Sequence, residues 1–180
     1  MMSNRWQKLR WTIPLILLLT TIIDAALPAI FPSAFLAQNQ IVVSHITLYF
    51  IVMFAFYFRD DWILGYSFTF GLFYDSYNTT ILGLNAILYF IVAYTVLKMK
   101  KFFPKNAVVN MMLFIVAITF LDTVVYLFYN QIGIGNITVI TFLTTRLAPT
   151  LIFNIVAALL LHFPKNWILN WLGWEDYIIF

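Results

Sequence analysis

The chain has 180 residues, of which 63% are hydrophobic and only 9% charged. A soluble domain carries about 25% charged residues, so this composition excludes a water-soluble globular protein and points to an integral membrane protein. There is no cysteine, which excludes disulfides and thiolate chemistry, and the net charge of +3 matters less than where the positive residues sit.

Six apolar stretches follow one another: Thr12–Phe31, Ile41–Phe58, Trp62–Tyr77, Ile81–Leu97, Ala107–Tyr129 and Ile137–Phe163. A helical span needs roughly 20 residues, with a range of about 17–25. The first, second, fourth and fifth stretches fit that range. The third is short at 16 residues; the sixth has 27 and contains Pro149, so it is expected to tilt or kink. Arg5, Lys8 and Arg10 ahead of the first stretch would also suit a signal peptide, but Asp24, Pro28, Pro32 and the lack of a small-residue cleavage site favour a span. Residues 164–180 (PKNWILNWLGWEDYIIF) read as an interfacial, cytoplasmic C-terminal segment, with Trp167, Trp171 and Trp174 at helical spacing. A membrane-anchored tail is preferred there over a docking site for a cytoplasmic partner. The whole chain, 1–180, otherwise forms a single membrane domain.

Orientation follows from Lys and Arg. Nine of the ten fall on one side if both termini share it: Arg5, Lys8, Arg10, Arg59, Lys98, Lys100, Lys101, Lys105 and Lys165. The connections 33–40, 78–80 and 130–136 carry none, so both termini are expected in the cytoplasm. Trp6, Trp11, Trp62 and Trp167 lie near the inner boundary, where indole rings prefer to sit.

The tenth basic residue, Arg146, lies inside the sixth stretch, and Asp24, Asp75 and Asp122 lie inside the first, third and fifth. A charge at mid-span costs about 2.5–3.5 kcal/mol on insertion scales, so such residues need partners or a function. At 1.5 Å per residue, Asp24, Asp122 and Arg146 sit roughly 10–14 Å below the outer boundary. Asp75 joins them if its short span draws the turn at 78–80 inward. Each belongs to a polar or small-residue stripe. Ser67, Gly71 and Asp75 are spaced by four, as are Arg146, Thr150, Asn154 and Ala158; Thr20 and Thr21 accompany Asp24, and Tyr126 accompanies Asp122. An intramembrane polar network that fixes helix packing is the preferred reading, with an ion or ligand pathway and a partner-binding site as alternatives. Three carboxylates against one guanidinium are unbalanced, so either one is protonated or water reaches the site.

Other polar residues are weaker signals. His45 and His162 form no HExxH-like pair, and Asn85, Asn110 and Asn154 are expected to hydrogen-bond between helices. Tyr74–Asp75 matches half of an intramembrane aspartyl protease signature, but the Gly-x-Gly-Asp half is missing around Asp122. No P-loop, GxSxG or dinucleotide glycine pattern is present. No catalytic, cofactor-binding or metal-ligating residue is expected, and no nucleic-acid partner.

The segments GLFYDSYNTTILGLNAILYFIVAY and RLAPTLIFNIVAALLLHFP, in a small chain without a soluble domain, resemble the MreD family of rod-shape-determining proteins. The family's Gly-Leu-x-x-Asp, followed about eight residues on by Gly-Leu, falls on Gly71, Leu72, Asp75, Gly83 and Leu84. Its Leu-x-Pro-x-x-x-x-Asn falls on Leu147, Pro149 and Asn154. The resemblance implies an all-α membrane protein of six transmembrane helices, similar to the S components of energy-coupling-factor transporters, in the bacterial plasma membrane. It implies a non-enzymatic role in cell elongation, with MreC as direct partner and MreB and the RodA–transpeptidase peptidoglycan synthase reached through it. Asp75 is then a fixture of its hairpin, accepting from turn amides or pairing with Arg146. A substrate-binding component of a vitamin-type transporter is the competing function.

Overall fold

The structure is a computed structural model that describes residues 2–172 apart from 38, 59–61, 80 and 136, with side chains from residue 8 onward. Helix α1 runs Met2–Ile30, beginning well before Thr12 because 2–11 holds no helix breaker. A short helix α2, Pro32–Phe35, leads into a minimal antiparallel pair, β1 (Leu36–Ala37) and β2 (Gln40–Ile41).

The second stretch does not form one continuous helix from Ile41. Helix α3 spans only Ile46–Tyr57, and residues 42–45 are non-helical. The β-branched run Ile41-Val42-Val43, followed by Ser44, disfavours helix and suits an extended lead-in. Every residue of α3 from Thr47 to Tyr57 is buried. A helix that is apolar on all sides belongs in the middle of a bundle, and α3 packs against α1 and against the helices Trp62–Asn78, Leu84–Met99, Ala107–Gln131 and Ala148–Leu160.

Helices α4 (Trp62–Asn78) and α5 (Leu84–Met99) form the most closely packed pair. Ser67, Gly71 and Asp75 are buried along the α4 face. A Cβ on Gly71 would collide with the Ala86 backbone, so α5 can approach only because that carbon is missing. Gly83 turns the chain into α5 with φ +98°, a conformation suited to glycine. The fourth stretch therefore becomes helical at Leu84, three residues later than Ile81. After α5 a 3₁₀ turn, Lys100–Phe102, carries Lys100, whose Nζ donates to the Ala55 and Phe58 carbonyls at the C-terminal end of α3.

Helix α6 runs Ala107–Gln131, its N-terminus capped by Asn106. The sixth stretch divides into α7 (Val139–Phe142), a π turn (Leu143–Leu147) and α8 (Ala148–Leu160). The Ala148 amide donates to the Leu143 carbonyl, five residues back. Pro149 has no N–H to continue the ordinary ladder, which accounts for a wide turn immediately before it. The last described helix, α9 (His162–Trp171), buries Lys165, Ile168 and Leu169 and leaves Trp167 and Trp171 exposed. Trp174 and the rest of 173–180 lie outside the described residues, as do Arg59 and the side chains of Arg5 and Trp6.

Among the described residues, three helices are long and apolar enough to cross a membrane: Lys8–Ile30, Ala107–Gln131 and Val139–Leu160. The helices α3, α4 and α5 are shorter, with 12, 17 and 16 residues. Basic residues gather at one end of the bundle. Lys8 lies over the Trp171 ring and Arg10 over Trp62, at 5.3 and 5.8 Å, Lys165 lies 5.6 Å from the Tyr57 ring, and Tyr66 donates to the Arg10 carbonyl.

Candidate functional site

The intramembrane ionisable residues fall at the opposite end, and the structure resolves them into three arrangements rather than one network. Asp24, on α1, faces the broken start of α3. Its Oδ1 accepts from Ser44 Oγ (2.5 Å) and from the Ile46 amide (3.0 Å), and its Oδ2 from the Thr47 amide (2.8 Å). The first amides of a helix have no partner within it and carry the positive end of the helix dipole. A buried carboxylate from α1 therefore closes the N-terminus of α3.

Asp75 does the same for α5. Its oxygens accept from the amides of Gly83 (2.9 Å), Asn85 (3.0 Å) and Ala86 (3.3 Å), from Asn85 Nδ2 (2.7 Å) and from Thr79 Oγ1 (3.2 Å). Of the two roles considered for Asp75, it takes the turn amides and does not pair with Arg146. The imbalance of three carboxylates against one guanidinium is thus met largely by two helix N-termini.

Asp122, on α6, is different. His45 Nε2 lies 3.5 Å and Arg146 Nη2 3.8 Å from its Oδ1. Among the described residues neither Asp122 oxygen, neither His45 ring nitrogen and not Arg146 Nε makes a hydrogen bond, although all are buried. Arg146 differs from Thr150, Asn154 and Ala158 in exposure: those three are buried, whereas its side chain is 30% exposed.

Thr150 and Asn154 instead hold the non-helical lead-in to α3. The Val43 amide donates to Thr150 Oγ1 (3.1 Å) and the His45 amide to Asn154 Oδ1 (2.8 Å), while Asn154 Nδ2 donates to the Val43 carbonyl (2.7 Å). In a bilayer, irregular backbone survives only where such groups are satisfied. Asn85 also bonds between helices, to Asp75; Asn110 is buried with its Oδ1 unbonded.

A cavity of about 440 Å³ opens at this end. Asp24, Ser44, His45, Asp122 and Arg146 line one part, and Tyr74, Tyr126, Tyr129 and Phe142 form an aromatic part. Tyr126 stacks on Phe142 at 4.3 Å and donates to the Ile137 carbonyl. Asp75 is not on the cavity wall; it lies behind Thr79 and Asn85, which are. No group of three His, Asp or Glu among the described residues is placed to hold a metal ion. Sequence reasoning missed Ser44 and His45 as members of this site. The available signal was Ser44, a polar residue two positions ahead of an apolar helical run.

The family model described as "rod shape-determining protein MreD" matches residues 6–171. The chain belongs to the MreD family. It is also similar to the rod shape-determining protein MreD of Bacillus subtilis (strain 168), with 23% identity over 155 residues, covering 86% of this chain and 90% of the relative. No solved structure matches the chain. As an MreD family member with long apolar helices, it is a membrane protein of the rod-shape-determining class.

Proposed function

We propose that this MreD family member is a non-enzymatic scaffold of the bacterial plasma membrane, with six spans and both termini in the cytoplasm, as in the S-component architecture that the resemblance implies. It binds the transmembrane helix of MreC through a lipid-facing helix surface, and through MreC supports MreB and peptidoglycan synthesis by the RodA–transpeptidase pair. Length supports six segments: α3 reaches about 18 Å, and the non-helical residues 42–44 ahead of His45 add up to about 10 Å. Together they match the roughly 30 Å hydrocarbon core.

The observation that carries the scaffold reading is that the deeply buried carboxylates of Asp24 and Asp75 are engaged in closing helix ends. Ser44 Oγ is turned to Asp24 and so is not a nucleophile activated by His45. Polar groups used this way hold a shape, and a chain of this kind communicates through its outer helix faces. The test is complementation of a rod-shaped bacterium lacking its own MreD, with MreC capture measured in parallel. Restored rods with MreC co-purifying are expected; round cells and no MreC on a folded, membrane-inserted chain would overturn the reading. A transporter component is the second reading, favoured by the unbonded His45, Asp122 and Arg146 groups around the cavity. It predicts an energising partner in the same capture experiment.

A further inference from the structure

We propose that the groove between α5 and α6 is a binding site for one anionic phospholipid. The groove encloses about 550 Å³ and is almost wholly apolar, with Val92, Val96, Met99, Phe103, Met112 and Val116 among its walls. Met99 and Phe103, at one end, belong to a stretch rich in lysine, with Lys98, Lys100, Lys101 and Lys105. No Asp or Glu occurs between Asp75 and Asp122, so no carboxylate lies in α5, in the connection or in the first four turns of α6. Lys100 is turned toward the end of α3, whereas Lys98, Lys101 and Lys105 are exposed. Lys98 follows Ile91 and Thr95, two groove residues, along one face of α5. Lys105 stands just ahead of the N-terminus of α6, a 25-residue helix whose dipole also favours a phosphate.

An apolar slot ending in exposed lysines fits an acyl chain with a negatively charged headgroup above it. Charge decides between this occupant and a partner's membrane helix. Helices crossing a membrane carry Lys and Arg at the basic side, and a second basic flank would be repelled by these lysines. Each lysine beside an anionic headgroup contributes about fivefold in affinity, from about 1 kcal/mol.

Native mass spectrometry tests this on the intact chain in detergent, titrated with equimolar phosphatidylglycerol and phosphatidylcholine of identical acyl chains. One phosphatidylglycerol is expected to be retained in clear preference. The K98Q/K101Q/K105Q variant should lose that preference at least tenfold. Val116→Trp fills the groove from a position 65% exposed, and should lower phosphatidylglycerol retention at least fivefold with all lysines present. Leu15→Trp, on the exposed face of α1, should change nothing. Equal retention of the two lipids by the unaltered chain would overturn the proposal. So would a preference that survives Val116→Trp, which would mean loose attraction to lysines without a groove. Loss of MreC capture in Val116→Trp with lipid retention intact would make the groove a helix seat instead.

Discussion

The two kinds of buried carboxylate make opposite demands on a substitution. Asp75→Ala would leave the amides of Gly83, Asn85 and Ala86, and the Asn85 side chain, without their acceptor in the α4–α5 turn. A hydrogen bond to a charged group contributes about 1.5–3 kcal/mol, and a buried donor left without a partner costs about 1–3. The four contacts share two oxygens, the Ala86 contact is long, and the adjoining cavity wall includes Asn85, so water recovers part of the loss. A net cost of about 3–5 kcal/mol follows. For a chain of this size, 1 kcal/mol shifts Tm by about 2–4 °C, so thermal unfolding at fixed detergent concentration should move down by roughly 6–20 °C. Asp122→Ala removes a carboxylate that accepts no hydrogen bond among the described residues and whose partner Arg146 is partly open to solvent. Its Tm shift should be less than half as large. An Asp122→Ala shift equal to or greater than that of Asp75→Ala would refute the assignment of Asp75 as the helix-closing acceptor.

Gly71→Ala is expected to push α5 away from α4, because the new methyl meets the Ala86 backbone and not a movable side chain; a loss of about 1–3 kcal/mol by the same melt checks it. Arg146→Leu alone should lower the folded yield in detergent, and Arg146→Leu with Asp122→Leu should recover part of it, since the unpaired charge is gone. A double variant as poor as the sum of the singles would separate the two residues. Cysteines placed at Ile134 and Lys101 report sidedness: an impermeant thiol reagent added to intact cells should label the first and not the second, and the reverse pattern would invert the proposed orientation. Lys100→Met should cost about 1 kcal/mol in the melt by freeing the Ala55 and Phe58 carbonyls.

Local patterns made part of this arrangement readable in advance. Apolar runs marked helices close to α4 and α6, because those runs are bounded by turn residues or by a capping Asn. The Ser67–Gly71–Asp75 spacing marked a close-packed face, since residues four apart lie together on any helix. Long-range partners were not readable. Asp24 finds its amides 22 and 23 residues away, at a helix start that exists because α3 begins at Ile46. The π turn that contains Arg146 was not readable either, because only Pro149 signals a departure from regular helix there. Asp24, His45, Asp122 and Arg146 converge on the cavity wall through tertiary packing, which no periodicity in one chain segment encodes.

The anchoring of residues 43–45 by Thr150 and Asn154 also sets a timetable for biosynthesis. Those side chains are made 107 or more residues after the backbone groups they hold. At about 5–20 residues per second, the lead-in to α3 waits roughly 5–20 s with open amides and carbonyls after it leaves the ribosome. During that interval it needs shelter, from the insertion machinery or from water at the membrane edge. A chain stopped before α8 would lack both side chains that hold this backbone.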